Sequence, residues 1–332
     1  DAFAPNALDF DSAEIGEPDL GHIVEDALLR TVLGDTVARA PQAQLQVGSE
    51  IASVAVEERE VVVALGQGGN VPLRGLPRVV RGTVLLAADG SDSAVRRLVD
   101  LPTTGHRYEQ TAIVAHVTST GSPQSTAWQR FLPGGPLALL PLADGRSSIV
   151  WSLPTADAQR LLAASDAEFI AELAVATAGA LGELTACSKR VAFPLQALHA
   201  LKYATERVAL LGDAAHTVHP LAGQGMNLGL LDAASIAAVI EDALLAGEDV
   251  GDLKVLRRYE RQRKGDNLAM LAAFDGLNRL FRLPGWAAPL RSLGLRAVEA
   301  ADPVKRLLMQ KALGLTAGRK HRIRWSRAES QA

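Results

Sequence analysis

Apolar and polar positions follow two different periods along this chain. Residues 20–33 place Ile23, Val24, Ala27, Leu28, Val32 and Leu33 at helical spacing, which predicts a helix that buries one stripe. Before them, Leu8, Phe10 and Ser12 alternate with Asp9 and Asp11, a strand pattern that predicts a chain opening inside a fold already begun. Between 43 and 73, the β-branched runs 51–56 and 61–65 are set off by Gly66, Gly68, Gly69 and Asn70, predicting a small antiparallel meander with a hairpin. The run 83–88, apolar from Val84 onward, predicts a strand covered on both faces.

From residue 104 the pattern becomes that of a sheet. Strands are expected at 111–118 and 148–153, with Trp128 and Phe131 between them and a turn at Pro133, Gly134, Gly135 and Pro136. A helix is expected over 156–181, with Asp157, Glu168 and Glu172 on its wet side, followed by a second buried strand at 207–211. Beyond Asp252 the spacing of Leu256, Tyr259, Leu268, Leu271, Phe274, Leu277 and Leu280 is helical. The order of elements predicts an α/β protein with a sheet-based domain inserted into it.

Bulk properties narrow the function. At 332 residues and 48% hydrophobic, the chain can bury a substantial core. A formal net charge of −3 argues against nucleic acid as a partner. The single cysteine, Cys187, excludes an internal disulfide framework and a multi-cysteine metal site, and fits the cytoplasm. No run reaches the roughly 18 to 20 apolar residues that span a bilayer.

The most specific segment runs Arg207-Val208-Ala209-Leu210-Leu211-Gly212-Asp213-Ala214-Ala215-His216 and continues through Pro220-Leu221-Ala222-Gly223-Gln224-Gly225-Met226-Asn227. It is a buried strand ending in Gly-Asp, then a loop, then a glycine-rich helix start. A carboxylate at the C-terminal end of such a strand can accept hydrogen bonds from sugar-like hydroxyls, and ligands of open α/β sheets bind at that edge. Glycines at 223 and 225 allow close backbone approach, and the helix start carries partial positive charge. A second segment has the same form: Val84 to Ala88, then Asp89-Gly90, then a polar helix start reaching Arg96. Ser91 or Asp92 can cap that helix.

Together these segments resemble the Asp-Gly and Gly-Asp motifs of the class A FAD-dependent monooxygenases, in that order and about 120 residues apart. The stretches Gly21-His22-Ile23-Val24-Glu25, Thr126 through Pro133 and Tyr259 through Asn267 are similar to the ubiquinone-biosynthesis hydroxylases among them. The resemblance implies a three-layer, Rossmann-like FAD-binding domain, an inserted substrate domain and a helical C-terminus. Its implied boundaries are a substrate-domain strand at 1–15, FAD-binding parts at 16–103 and 199–250, the substrate domain at 104–198, and helices with a basic tail at 251–332. It implies FAD bound noncovalently, reduced by NAD(P)H, and reaction with O2 to hydroxylate a polyprenylated phenol. It places Asp213 on the ribityl chain, Pro220 beside the isoalloxazine ring, and Gly223, Gln224, Gly225, Met226 and Asn227 along the pyrimidine edge, with Pro220 and Gly223 nearest the chemistry. Asp89 and Arg96 belong to the motif that supports FAD. The family's opening Gly-x-Gly-x-x-Gly turn does not occur before Asp89, so the resemblance implies a fold truncated at its N-terminus.

Other residues have plainer readings. His216 and His219, beside no evident carboxylate cluster, read as loop-shaping, and no metal is expected. Cys187 reads as inert. Trp128 and Phe131 are candidates to line an apolar substrate site. The basic stretch 319–327 and the apolar stretch 280–290, with Phe281 and Trp286, are candidate contacts with an anionic membrane surface, and a biosynthetic complex is a possible partner. Two rival readings are a flavin monooxygenase for a soluble aromatic compound and a flavin-free scaffold subunit.

Overall fold

The computed structural model describes residues 7–67, 79–121, 125–220, 223–283 and 285–313. The predicted hairpin residues Gly68, Gly69 and Asn70, the loop residues Leu221 and Ala222, and the basic stretch 319–327 lie outside the described residues. The chain forms two compact units, one built from 1–45, 107–196 and 273–313, the other from 46–106 and 197–272.

The first unit is a sheet faced by helices. Residues 110–117 of β5 (Thr103–Ser119) pair with β8 (Ser147–Pro154), which pairs with β7 (Gly135–Pro141), which pairs with β6 (Trp128–Leu132), all antiparallel. The short strand β9 (Leu184–Cys187) adds to β5. Alternate residues point to one face, as a period of two requires: Ile113, Ala115 and Val117 on β5, Leu137 and Leu139 on β7, and Ile149, Trp151 and Leu153 on β8 are all buried. Ala158 and Leu161 of α3 (Thr155–Ala163) and Phe169, Leu173 and Ala176 of α4 (Asp166–Thr177) cover them. The single helix expected over 156–181 is therefore two. The break is a capping box: Ser165 accepts the backbone N–H of Glu168, and the Glu168 carboxylate accepts the backbone N–H of Ser165 at 2.8 Å.

A second difference concerns α1 (Asp26–Arg39) of the same unit. It forms, but starts later than the pattern suggests and has no buried residue, with Leu28 60% and Val32 53% exposed. An apolar stripe records a face suited to burial, not what covers it. At the other end of the chain, α7 (Ala288–Ala300) and α8 (Asp302–Ala312) complete the unit. Lys305 there bonds Glu14 at 2.8 Å and Glu299 at 2.9 Å.

The second unit holds two small sheets. The meander β1 (Ser49–Val56), β2 (Val61–Gln67) and β3 (Val79–Gly82) is antiparallel, as its turn residues predict. Beside it, β4 (Leu85–Ala87) and β12 (Val208–Leu210) pair in parallel, and β11 (Ala204–Thr205) joins β12. Burial of Val208, Ala209 and Leu210 is complete, and they pack with Ile236, Val239 and Ala243 of α5 (Gln224–Leu245) and Val255, Leu256 and Tyr259 of α6 (Leu253–Arg282). Strand β4 is shorter than expected and is not covered on both faces: Leu86 is 39% exposed, in an apolar groove that also runs along Ile236, Ile240 and Leu244 of α5.

Arg207 fastens the loops of this unit. It is 2% exposed, and its guanidinium donates to the Glu58 carbonyl in the β1–β2 turn at 2.6 Å, to the Thr83 carbonyl before β4 at 3.0 Å and to Asp249 at 2.6 Å. Its backbone is left-handed, φ 58°, a strained conformation for arginine that these charge-assisted bonds offset.

Candidate active site

Strands β4 and β12 run side by side in the same direction, so their C-terminal ends, Asp89-Gly90 and Gly212-Asp213, emerge at one edge of the sheet. The two aspartates are used differently. One oxygen of Asp89 accepts the Ser93 hydroxyl at 2.6 Å and the other the backbone N–H of Val95 at 3.1 Å, while the Ser93 hydroxyl accepts the N–H of Arg96. Asp89 thus braces the start of α2 (Ala94–Leu98), with Ser93, rather than Ser91 or Asp92, as the cap. The left-handed Gly90, φ 84°, makes the bend between them.

Arg96 joins the two motifs. It is 7% exposed, and its guanidinium donates to the Ala214 carbonyl and to the Ser91 carbonyl, both at 2.7 Å. Burial pushes the guanidinium below its ordinary value, and Asp89 opposes that shift. Both terminal nitrogens of the guanidinium thus donate to protein carbonyls.

Asp213 is exposed, between a half-buried Gly212 and a fully buried Ala214, and its carboxylate makes no hydrogen bond to any described residue. Partial desolvation by the surrounding turn raises its carboxyl, with His216 pulling the other way. An acceptor with no donor, held at a sheet edge, fits a ligand rich in hydroxyl groups.

Helix α5 begins at Gln224 after a left-handed Gly223, φ 62°, with no side chain among the described residues capping its first N–H groups. A Cβ at Gly223 would meet nothing within 4 Å. The start of a 22-residue helix, with uncapped donors and an unobstructed glycine, suits a group carrying negative charge. Gln224 and Gly225 are half-buried, Met226 is 54% exposed, and Asn227 donates to the Gln224 side chain at 3.4 Å. Pro220 is half-buried just before this start. The motif residues are thus gathered at one end of the second unit.

The histidines differ from the sequence reading in one respect: a carboxylate does stand beside His216. Its Nε2 lies 2.6 Å from Asp232 of α5, both side chains fully buried. Asp232 was not legible in the motifs, because it lies 16 residues further on and reaches the turn only through the packing of α5. His219 is buried. Elsewhere, burial pushes the Cys187 thiol up, away from thiolate chemistry. Phe131 is stacked on Phe281 at 3.7 Å between ring centres, which leaves Phe281 buried rather than available for a membrane contact. Trp128 is 45% exposed. Among the described residues no cluster of metal-ligating side chains occurs, and no described helix is long and apolar enough to cross a membrane.

Residues 13–271 match the family model described as an FAD binding domain. The chain is 35% identical over 308 residues to the 3-demethoxyubiquinol 3-hydroxylase of Escherichia coli, covering 92% of this chain and 76% of that protein. It is 37% identical over 317 residues to the ubiquinone hydroxylase UbiL of Rhodospirillum rubrum, covering 95% of this chain and 71% of that one. Its fold is shared with the anhydrotetracycline hydroxylase OxyS of Streptomyces rimosus, with a TM-score of 0.67 at 20% identity, covering 88% of this chain and 57% of that structure. The expected fold class is thereby met, and the chain belongs to the FAD-dependent hydroxylases of the FAD-binding-domain family.

Proposed function

We propose that the chain hydroxylates the aromatic ring of a polyprenylated phenol in ubiquinone biosynthesis, with NAD(P)H as reductant and O2 as the oxygen source. The observation that carries this reading is the Asp213 carboxylate, without a hydrogen bond among the described residues, in a turn that packs on α5, in a chain 35% and 37% identical to two ubiquinone-pathway hydroxylases. FAD held here would supply the redox chemistry, coupling oxidation of NAD(P)H to reduction of O2, with one oxygen atom going to the ring and the other to water. The protein's part is to bind and orient. Asp213 would accept the ribityl hydroxyls, and Gly223, Gln224, Gly225, Met226 and Asn227 would meet the pyrimidine edge, where the helix start favours negative charge. Pro220 would lie beside the isoalloxazine ring. Asp89 and Arg96 serve the same site through protein atoms, by fixing α2 and the Ala214 carbonyl. The sheet domain at 104–198 is assigned to the substrate.

A prenyl tail is drawn from a bilayer, and the C-terminal part of the first unit offers an apolar surface for that: Trp286, Leu290 and Leu293 are 75%, 67% and 65% exposed. The purified protein is expected to retain FAD through desalting, to oxidise NADH or NADPH, and to convert a prenylated phenol to a product heavier by one oxygen atom. Absence of bound flavin would sink the reading, whereas hydroxylation of soluble phenols alone would move it to a soluble aromatic substrate. Sedimentation with anionic vesicles, weakened in Trp286→Ser, tests the membrane contact.

A further inference from the structure

The Gly212 to His216 turn rests on a buried polar cluster whose centre is Asp232. On α5, Asp232 lies three residues beyond Gly229 and therefore on the same face. Both touch the turn. The backbones of Gly229 and Gly212 pack so closely that a Cβ added at Gly212 would meet the Gly229 Cα at 3.6 Å. Asp232, 0% exposed, accepts the backbone N–H of Gly212 through Oδ2 at 3.0 Å. The same oxygen is 2.6 Å from Nε2 of His216, and since a carboxylate only accepts, Nε2 carries the proton.

The other oxygen is held from α6. Asp232 Oδ1 accepts from Nε of Arg263 at 2.8 Å and from Nδ2 of Asn267 at 3.2 Å, and Arg263 also donates to the Asn267 side-chain oxygen at 2.9 Å. Further out, Asn267 Nδ2 reaches the Tyr203 hydroxyl at 3.4 Å, which sits 3.1 Å from Nε2 of His199. Burial pushes the Asp232 carboxyl up, but the hydrogen bonds and charges of His216 and Arg263 outweigh it and hold the group below its ordinary value. Asp232 is therefore a buried anion with four donors directed at it.

A buried ion pair is weak support for stability, because well-packed apolar residues commonly do as well. What the apolar alternative cannot do is hold named atoms of a polar turn. The two turn atoms that Asp232 grips, Gly212 N and His216 Nε2, lie on either side of Asp213 in the chain. We infer that Asp232 is a positioning residue for the cofactor: it fixes the turn so that the Asp213 carboxylate is presented to the hydroxyl-bearing chain of the flavin, with Arg263 and Asn267 orienting Asp232 in turn. This rests on the reading of Asp213 proposed above.

The test is a double-mutant cycle on the full protein, reading the FAD dissociation constant by flavin fluorescence and the visible circular dichroism of the bound flavin. Asp232→Asn replaces an acceptor of the Gly212 N–H, and His216→Leu, which has no donor, removes the second grip on the turn. Each is expected to weaken FAD binding at least tenfold and to change the visible spectrum, with far smaller effects when introduced into Asp213→Ala. Tyr203→Phe, at the outer edge of the cluster, is expected to leave the dissociation constant within about twofold. The inference is overturned if Asp232→Asn and His216→Leu lower only the thermal midpoint, or if their effects persist undiminished in Asp213→Ala. Should Asp232→Asn not fold, His216→Leu carries the same criterion. If Asp213→Ala itself binds FAD normally, the reading of Asp213 fails, an outcome distinct from a normal Asp213 effect with silent Asp232 and His216 variants.

Discussion

Asp89 and Asp213 stand at the ends of two neighbouring parallel strands, each next to a glycine, and the chain uses them in opposite ways. Asp89 has both carboxylate oxygens bonded within its own segment, whereas the Asp213 carboxylate has no donor among the described residues, the Thr217 hydroxyl donating to its backbone carbonyl instead. The difference teaches that a motif's role is decided by its hydrogen-bond inventory. A satisfied carboxylate shapes the protein; an unsatisfied one at the surface of a site is ready for a ligand.

Four measurements would break or sharpen this comparison. The largest effect is expected from Asp213→Ala on cofactor binding: losing hydrogen bonds to a charged acceptor is worth about 1.5–3 kcal/mol, or roughly 10- to 150-fold in the FAD dissociation constant. A titration showing unchanged affinity would break the contrast at once. Next comes Arg96→Gln, which strips charge-assisted bonds from the Ala214 and Ser91 carbonyls. Leaving such groups buried and unpaired costs about 1–3 kcal/mol, expected as a lowered urea midpoint together with weaker FAD binding, because Ala214 adjoins Asp213.

Asp89→Ala should be milder and of another kind. Losing the brace at the start of α2 is expected to cost about 1 kcal/mol of stability, seen in chemical denaturation, with FAD affinity changing less than in either variant above. An Asp89 effect on affinity equal to that of Asp213 would make the two carboxylates equivalent after all. The smallest effect concerns pH. Desolvation raises the Asp213 carboxyl in the folded FAD-free protein, so its charged form is disfavoured relative to the unfolded chain. That penalty is present at neutral pH and fades as pH falls below the ordinary aspartate range. Asp213→Asn should accordingly raise the thermal midpoint of the FAD-free protein near neutrality, and the gain should vanish in acid.

Much of the candidate site was legible in the sequence because its residues are contiguous: Gly212-Asp213 and Gly223 through Asn227 each form a local pattern of strand end or helix start. Asp232, Arg263 and Asn267 were not, since their roles depend on two helices packing against one turn. The same limit explains the fold. Period-two burial in β5, β7 and β8 was readable, whereas the break at Ser165 depends on a reciprocal cap that a continuous apolar pattern conceals. Helix α1 carried a clear apolar stripe, yet none of it is buried, because periodicity describes one partner of a contact only.

Arg207 has a consequence for how the second unit comes apart. One side chain ties the β1–β2 turn, the entry to β4 and the loop at Asp249 to the start of β12, so melting the meander alone forfeits the charge-assisted bonds to the Glu58 carbonyl and uncovers the guanidinium. Slow-exchanging amides in β2 and β12 should thus lose protection together, as a single cooperative foldon that includes the strand presenting Asp213.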